Sequence, residues 1–126
     1  FVDDRGIIDK PIGSARGGLG PRSAKAPYGT TRDAVTAWRR IRGGEGASYI
    51  EVFPKTGRTH QIRVHMASVG RPILCDVLYA HGRPPMLGFK RFALHAFSLT
   101  FMHPNGKEMT VEAPLPPDFI AAEAAL

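Results

Sequence analysis

Two extended runs, AVTAWRRIR (Ala34 to Arg42) and ASYIEVFP (Ala47 to Pro54), flank the four residues GGEG. Such spacing closes a β-hairpin through a glycine-rich turn. In the first run Val35, Ala37 and Arg39 alternate with Thr36, Trp38 and Arg40. In the second, Tyr49, Glu51 and Phe53 alternate with Ile50 and Val52. Apolar side chains fall on both faces, which predicts a pair lying inside a larger sheet.

More strands must therefore come from elsewhere. GIIDKPI, Gly6 to Ile12, reads as a short strand ended by Pro11. FALHAFSLTFMHP and KEMTVEAPLP read as two strands joined across Asn105 and Gly106. The stretch 13–31 is rich in Gly, Ser, Ala and Pro, has no regular period, and reads as a mobile basic loop. A helix is predicted from Thr59 to about Val69, with Ile62, Met66 and Val69 forming one apolar stripe. Thr59 is its expected N-cap, and Gly70 its left-handed stop ahead of Pro72. RPILCDVLYAHGRPP follows as a loop, and PPDFIAAEAAL is read as a terminal helix. The predicted class is α+β: a mainly antiparallel mixed sheet with flanking helices.

The first helix opens on Arg58, Thr59, His60, Gln61 and Arg63, residues that a core helix does not need. Cationic side chains at a helix N-terminus oppose the helix dipole, so an anionic partner is a natural compensation. Arg63 can meet either a phosphate or a carboxylate, including one elsewhere in the protein. The charge distribution points the same way. Of 17 Lys and Arg against 11 Asp and Glu, the whole excess of +6 lies in residues 1–63. Between Lys10 and Arg42 eight basic residues face the single acidic Asp33. A phosphate backbone rewards such a field by counterion release, whereas an acidic membrane surface asks for a helix with a broad basic face, which this chain does not offer.

Other chemistries are excluded more simply. His60 and His65 are five apart and point about 140° apart on a helix, which disfavours a metal site. GGLGPRSAK lacks the spacing of a phosphate-binding loop. The lone Cys75, within PILCDVLY, reads as a small buried residue and fits a reducing, cytoplasmic setting. No apolar run approaches the roughly 18 residues that span a bilayer.

The segment GRTHQIRVHMASVGRPILCDVLYA closely resembles the signature of the RluA-type pseudouridine synthases. RFALHAFSLTFMHPNGKEMTVEAPLPPDF is similar to the closing segment of that family, and GIIDKPI and AVTAWRRI to its preceding strands. The resemblance implies an isomerase that converts uridine to pseudouridine in ribosomal or transfer RNA, without metal or organic cofactor. Carried onto this chain, it places Arg63 in the active site, paired with the catalytic aspartate. It implies that the loop and helix start around Arg58, Thr59, His60 and Gln61 face the RNA, and placement in this basic stretch makes these four and Lys55 the expected RNA contacts. The family's aspartate stands in a His-Arg-Leu-Asp motif, which this chain does not contain. Cys75 replaces a residue that is usually Gly in the family. The expectation is that residues 1–126 form the C-terminal part of a synthase catalytic domain, inactive by itself, with a catalytically inactive RNA-binding module as the alternative. An incomplete sheet is also expected to expose Ile7, Ile8 and Trp38 and to favour self-association.

Overall fold

The computed structural model describes residues 3–15, 21–25, 27–44 and 46–126. The expected hairpin forms from β5 (Val35–Gly44) and β6 (Ala47–Pro54), with Trp38 opposite Val52 and Ala37 opposite Phe53. A register shift between Arg40 and Arg42 bulges β5 near the turn. β1 (Arg5–Asp9) adds to the other side of β5, giving the order β1-β5-β6 with β5 in the centre.

Alternation then decides what is buried. Ile8 and Trp38 turn inward, and together with Met66 they form a core that Ile50, Val52, Ile62 and Ile73 extend. The expectation that Ile8 and Trp38 would be exposed is therefore corrected, because a helix covers the face they share; Ile7, on the other face of the edge strand, is 71% exposed. A Cβ at Gly6 would lie 2.8 Å from the Trp38 ring, so the indole occupies the space that a side chain there would need.

The segment 13–31 is not an irregular loop throughout. β2 (Ile12–Ser14), β3 (Arg22–Ser23) and β4 (Tyr28–Arg32) form a second antiparallel sheet in the order β3-β2-β4. No clear period marked these strands because they are two to five residues long and β4 is exposed along its length. Residues 16–20 and 26 of that segment lie outside the described residues.

Helix α1 spans Gln61–Ser68, two residues later than expected at its start. It is buried on more than one side. Met66 enters the first core, while Val64 joins Ile12 and Ala34 in a second one beside Ala24 and Tyr79. A single stripe of Ile62, Met66 and Val69 therefore understates its burial, and Val69 itself is exposed. Gly70 has φ of +73°, as its role as a left-handed stop requires. β7 (Ser98–Met102) and β8 (Glu108–Glu112) form the predicted last hairpin as a separate two-stranded sheet. Gly106 at φ +82° and the Asn105 side chain, which accepts from the Lys107 N–H, shape its turn. Helix α2 (Pro117–Ala124) closes the described structure, with Phe119 edge-on to Phe89. All the strand pairings among the described residues are antiparallel. The α+β class stands, but the strands divide among three sheets where one was expected.

Candidate active site at the start of helix α1

The N-terminus of α1 is set by backbone geometry rather than by the expected cap. His60 precedes the helix in the left-handed region, φ 54° and ψ 22°, and no side chain caps the first turn. A non-glycine residue in that region carries a cost of about 1–2 kcal/mol. The turn aims the imidazole across to the loop after the helix, where Nδ1 lies 2.8 Å from the Tyr79 hydroxyl. Burial, and then the cation of Arg63, lower the pKa of His60 and favour its neutral ring; Arg22 acts in the same direction, while Asp76 opposes them.

One turn into α1, Arg63 meets a carboxylate. Its Nε donates to Asp76 Oδ2 at 2.7 Å and its Nη2 to Oδ1 at 2.8 Å, a two-pronged pair. Asp76 is 1% exposed. Its Oδ1 also accepts from the backbone N–H groups of Leu78 and Tyr79, at 3.1 and 3.2 Å. Burial pushes its pKa up, but the Arg63 hydrogen bonds and charge, with the two backbone donors, outweigh that and hold the carboxyl below its usual range. The same bonds raise the pKa of Arg63.

The guanidinium also packs against two aromatic rings. Its carbon lies 5.0 Å from the centre of the Tyr79 ring and 4.7 Å from that of Phe92. Tyr79 is itself anchored, since its hydroxyl accepts from the Arg22 N–H at 3.0 Å. The cation carried by α1 is thus met by the loop 76–80 and the approach to β7, with β3 holding Tyr79 from behind. With Nε and Nη2 committed to Asp76, Nη1 of Arg63 has no hydrogen-bond partner among the described residues.

The other predicted site residues separate into two groups. Lys55, Thr59 and His60 are exposed. The Arg58 side chain is tethered by one bond, from its Nε to the Asp33 carbonyl at 2.9 Å. Gln61 is different, and its expected place facing RNA is corrected: it is 4% exposed and all its amide valences are used inside the fold. Its Oε1 accepts from the Thr56 hydroxyl and the Arg58 N–H, and its Nε2 donates to the Val35 carbonyl and the Thr36 hydroxyl. Thr36 continues the network to His65 Nδ1 at 2.8 Å, and His65 Nε2 donates to the Lys10 carbonyl. This buried polar network locks α1 onto β5, because each member would carry a large desolvation cost if left unpaired.

Asp76, Tyr79 and Phe92 were not singled out from sequence. Asp76 and Tyr79 stand three apart in CDVLYA, a spacing compatible with the observed turn, but nothing local indicated that Arg63 would reach them. No group of three or more His, Cys, Asp or Glu side chains among the described residues could hold a metal ion. A separate cavity of about 500 Å³ lies between the turn end of the β5–β6 hairpin and α2, lined by Tyr49, Ile50, Phe89 and Phe119 among others; Arg63 and Asp76 do not line it.

Cys75, next to Asp76, has φ of +58°. A glycine meets no steric penalty there, so Cys75→Gly is expected to stabilise the fold by roughly 1 kcal/mol. Chemical denaturation of the two proteins checks this, and an unchanged or lowered midpoint would show that the Cys75 Sγ contact to the Phe89 carbonyl outweighs the strain.

Comparison with known proteins places the sequence and the fold in a family. The family model described as RNA pseudouridylate synthase matches residues 2–68. The chain is 39% identical over 122 residues to the ribosomal large subunit pseudouridine synthase D of Zymomonas mobilis, covering 90% of this chain and 38% of that protein. It is 38% identical over 133 residues to the protein of the same name from Haemophilus influenzae, covering 96% and 40% respectively. The chain therefore spans about two fifths of the length of these relatives. Among solved structures, human RNA pseudouridylate synthase domain containing 1 superposes with a TM-score of 0.76 at 27% identity, over 92% of this chain and 50% of that one. No helix among the described residues is long and apolar enough to cross a membrane. The match of sequence and fold over most of the described residues shows that the chain belongs to the RNA pseudouridylate synthase family, of the RluA type.

Proposed function

We propose that residues 1–126 are the C-terminal part of the catalytic domain of a cytoplasmic RNA pseudouridine synthase, acting on a uridine of ribosomal or transfer RNA. The names of the relatives favour large-subunit ribosomal RNA. The observation that carries the reading is Arg63: a cation held rigidly by Asp76, Tyr79 and Phe92, with Nη1 uncommitted. Such a group can hold a second carboxylate ionised and oriented without reorganising. In the proposed reaction that carboxylate is the family's aspartate, supplied from outside this chain. It promotes breakage of the glycosidic bond of a uridine flipped out of its stack, after which the base turns and rejoins the ribose through carbon.

Asp76 is not that aspartate. It is fully buried, and its two oxygens already accept four hydrogen bonds. Its role is to position Arg63. Lys55, Arg58, Thr59 and His60 form the proposed RNA-facing surface beside the site, where Lys55 and Arg58 neutralise phosphates.

Two measurements test the reading. The full-length protein, incubated with a large-subunit ribosomal RNA transcript, is expected to produce pseudouridine, detected by carbodiimide-blocked primer extension, whereas the free chain is expected to produce none. No product from the full-length protein on ribosomal and transfer RNA would leave the RNA-binding module as the surviving alternative. Replacing Lys55 and Arg58 with Glu is expected to weaken RNA binding and to reduce the slope of log affinity against log salt by about 1 for each lost phosphate contact. An unchanged slope would remove both residues from the interface.

A further inference from the structure

His60 sits in a backbone conformation that disfavours it and commits one ring nitrogen to a tyrosine. Its φ of 54° lies in the left-handed region, which glycine or asparagine would fill more readily. The imidazole is therefore present against a backbone preference, and hydrogen-bond directions at Tyr79 show what it does there. The Tyr79 oxygen already accepts from the Arg22 N–H at 3.0 Å. Its own proton has one acceptor to go to among the described residues, His60 Nδ1 at 2.8 Å. His60 is thus the acceptor, its ring neutral and its proton on Nε2. The two rings meet edge to face, with centroids 5.7 Å apart. Tyr79 also donates its backbone N–H to Asp76 Oδ1 at 3.2 Å, and its ring centre lies 5.0 Å from the Arg63 guanidinium carbon. His60, Tyr79, Asp76 and Arg63 close a circuit that leaves the N-cap of α1 and returns to the helix one turn later.

We propose that His60 is a positioning residue for the reaction: by accepting the Tyr79 hydroxyl proton it fixes the ring against which Arg63 packs, and with it the placement of Nη1. The proposal rests on the electrostatic role proposed for Arg63, and its test tells the two apart. It gives His60 a task separate from any phosphate contact, because a neutral imidazole neutralises no phosphate. Protonation would undo the arrangement. A proton on Nδ1 would point at the oxygen that already receives the Arg22 N–H, and the hydroxyl proton would lose its acceptor. Among the charged groups around the ring, Arg63 and Arg22 disfavour the imidazolium and Asp76 favours it; with burial, the balance lies toward the neutral ring. Turnover should therefore fall as pH falls through the His60 pKa, the sign for a group needed in its neutral form.

The test compares the full-length protein with His60→Gly, His60→Asn and Tyr79→Phe in steady-state assays on ribosomal RNA, with melting followed by circular dichroism to show that each is folded. Glycine suits the backbone but offers no acceptor. Asparagine tolerates the left-handed region and brings an oxygen that does not titrate. In His60→Gly, kcat is expected to fall about tenfold with KM for RNA within about twofold, the signature of lost positioning. His60→Asn is expected to recover most of that loss and to lack the acid limb that His60 gives the unaltered protein. Tyr79→Phe is expected to match His60→Gly, and the two changes together to cost no more than either alone. Ring-nitrogen NMR of the unaltered protein above the His60 pKa is expected to show Nδ1 without a proton. The proposal is overturned, with the activity left standing, by undiminished kcat in His60→Gly, no recovery in His60→Asn, losses that multiply in the double variant, or a proton on Nδ1. An unaltered protein that makes no pseudouridine on ribosomal or transfer RNA overturns the proposed activity, and this role with it.

Discussion

Asp76→Asn is expected to destabilise the protein by about 3–5 kcal/mol, because the Arg63 cation then remains largely buried against two rings without its carboxylate. Only 14% of the Arg63 side chain is exposed, so water compensates poorly. A loss of that size is a large part of the stability of an ordinary domain and corresponds to a fall in melting temperature of roughly 10–20 °C. The pH dependence carries a further signature. The folded pKa of Asp76 is depressed, so its contribution is fully present above the unfolded value of about 3.9 and is lost as pH falls through the folded one. Asp76→Asn should therefore flatten the acid limb of the stability curve below about pH 4. Replacing both partners by apolar residues, Arg63→Met with Asp76→Leu, is expected to recover most of the stability, since no buried charge is left unpaired. A denaturation series from pH 2 to 7 on the three proteins checks all of this. A loss below 1 kcal/mol in Asp76→Asn would show that solvent reaches the pair and that it does not organise the site.

Arg63→Lys carries the second large effect, and it falls on catalysis. An ammonium keeps the charge but does not reproduce the fork that grips Asp76 while leaving Nη1 free, nor the planar contact with Tyr79 and Phe92. In the full-length protein kcat is expected to fall about 10²–10³-fold, while KM for RNA changes little because the residues proposed to face phosphate are intact. Single-turnover rates, measured well below the melting temperature with the folded fraction checked by circular dichroism, test it. A loss confined to KM would make Arg63 a substrate-binding residue. Retention of kcat within a few-fold would end the electrostatic role proposed for it.

Local pattern determined a good deal of this molecule. The alternation through Val35–Gly44 and Ala47–Pro54, the Asn105-Gly106 turn and the Gly70 stop each act over a few residues, and each is found where the sequence places it. The crowding of Arg58 to Arg63 marked the start of α1 as a candidate site because a cluster of cations at a helix N-terminus is unfavourable without an anion nearby. Three outcomes depended on contacts distant in sequence. Strands as short as Arg22–Ser23 carry no period and exist only because Ile12–Ser14 lies beside them. Gln61 and His65 look like polar surface residues until Thr36, 25 and 29 positions away, supplies partners that make their burial tolerable. Arg63 announced a need for an anion; that Asp76 meets it, with Tyr79 and Phe92 packed against the cation, was decided by packing. A sequence displays which groups require a partner, because that cost belongs to each residue alone. Which partner answers depends on where the backbone brings distant segments together, and only the tertiary structure settles that.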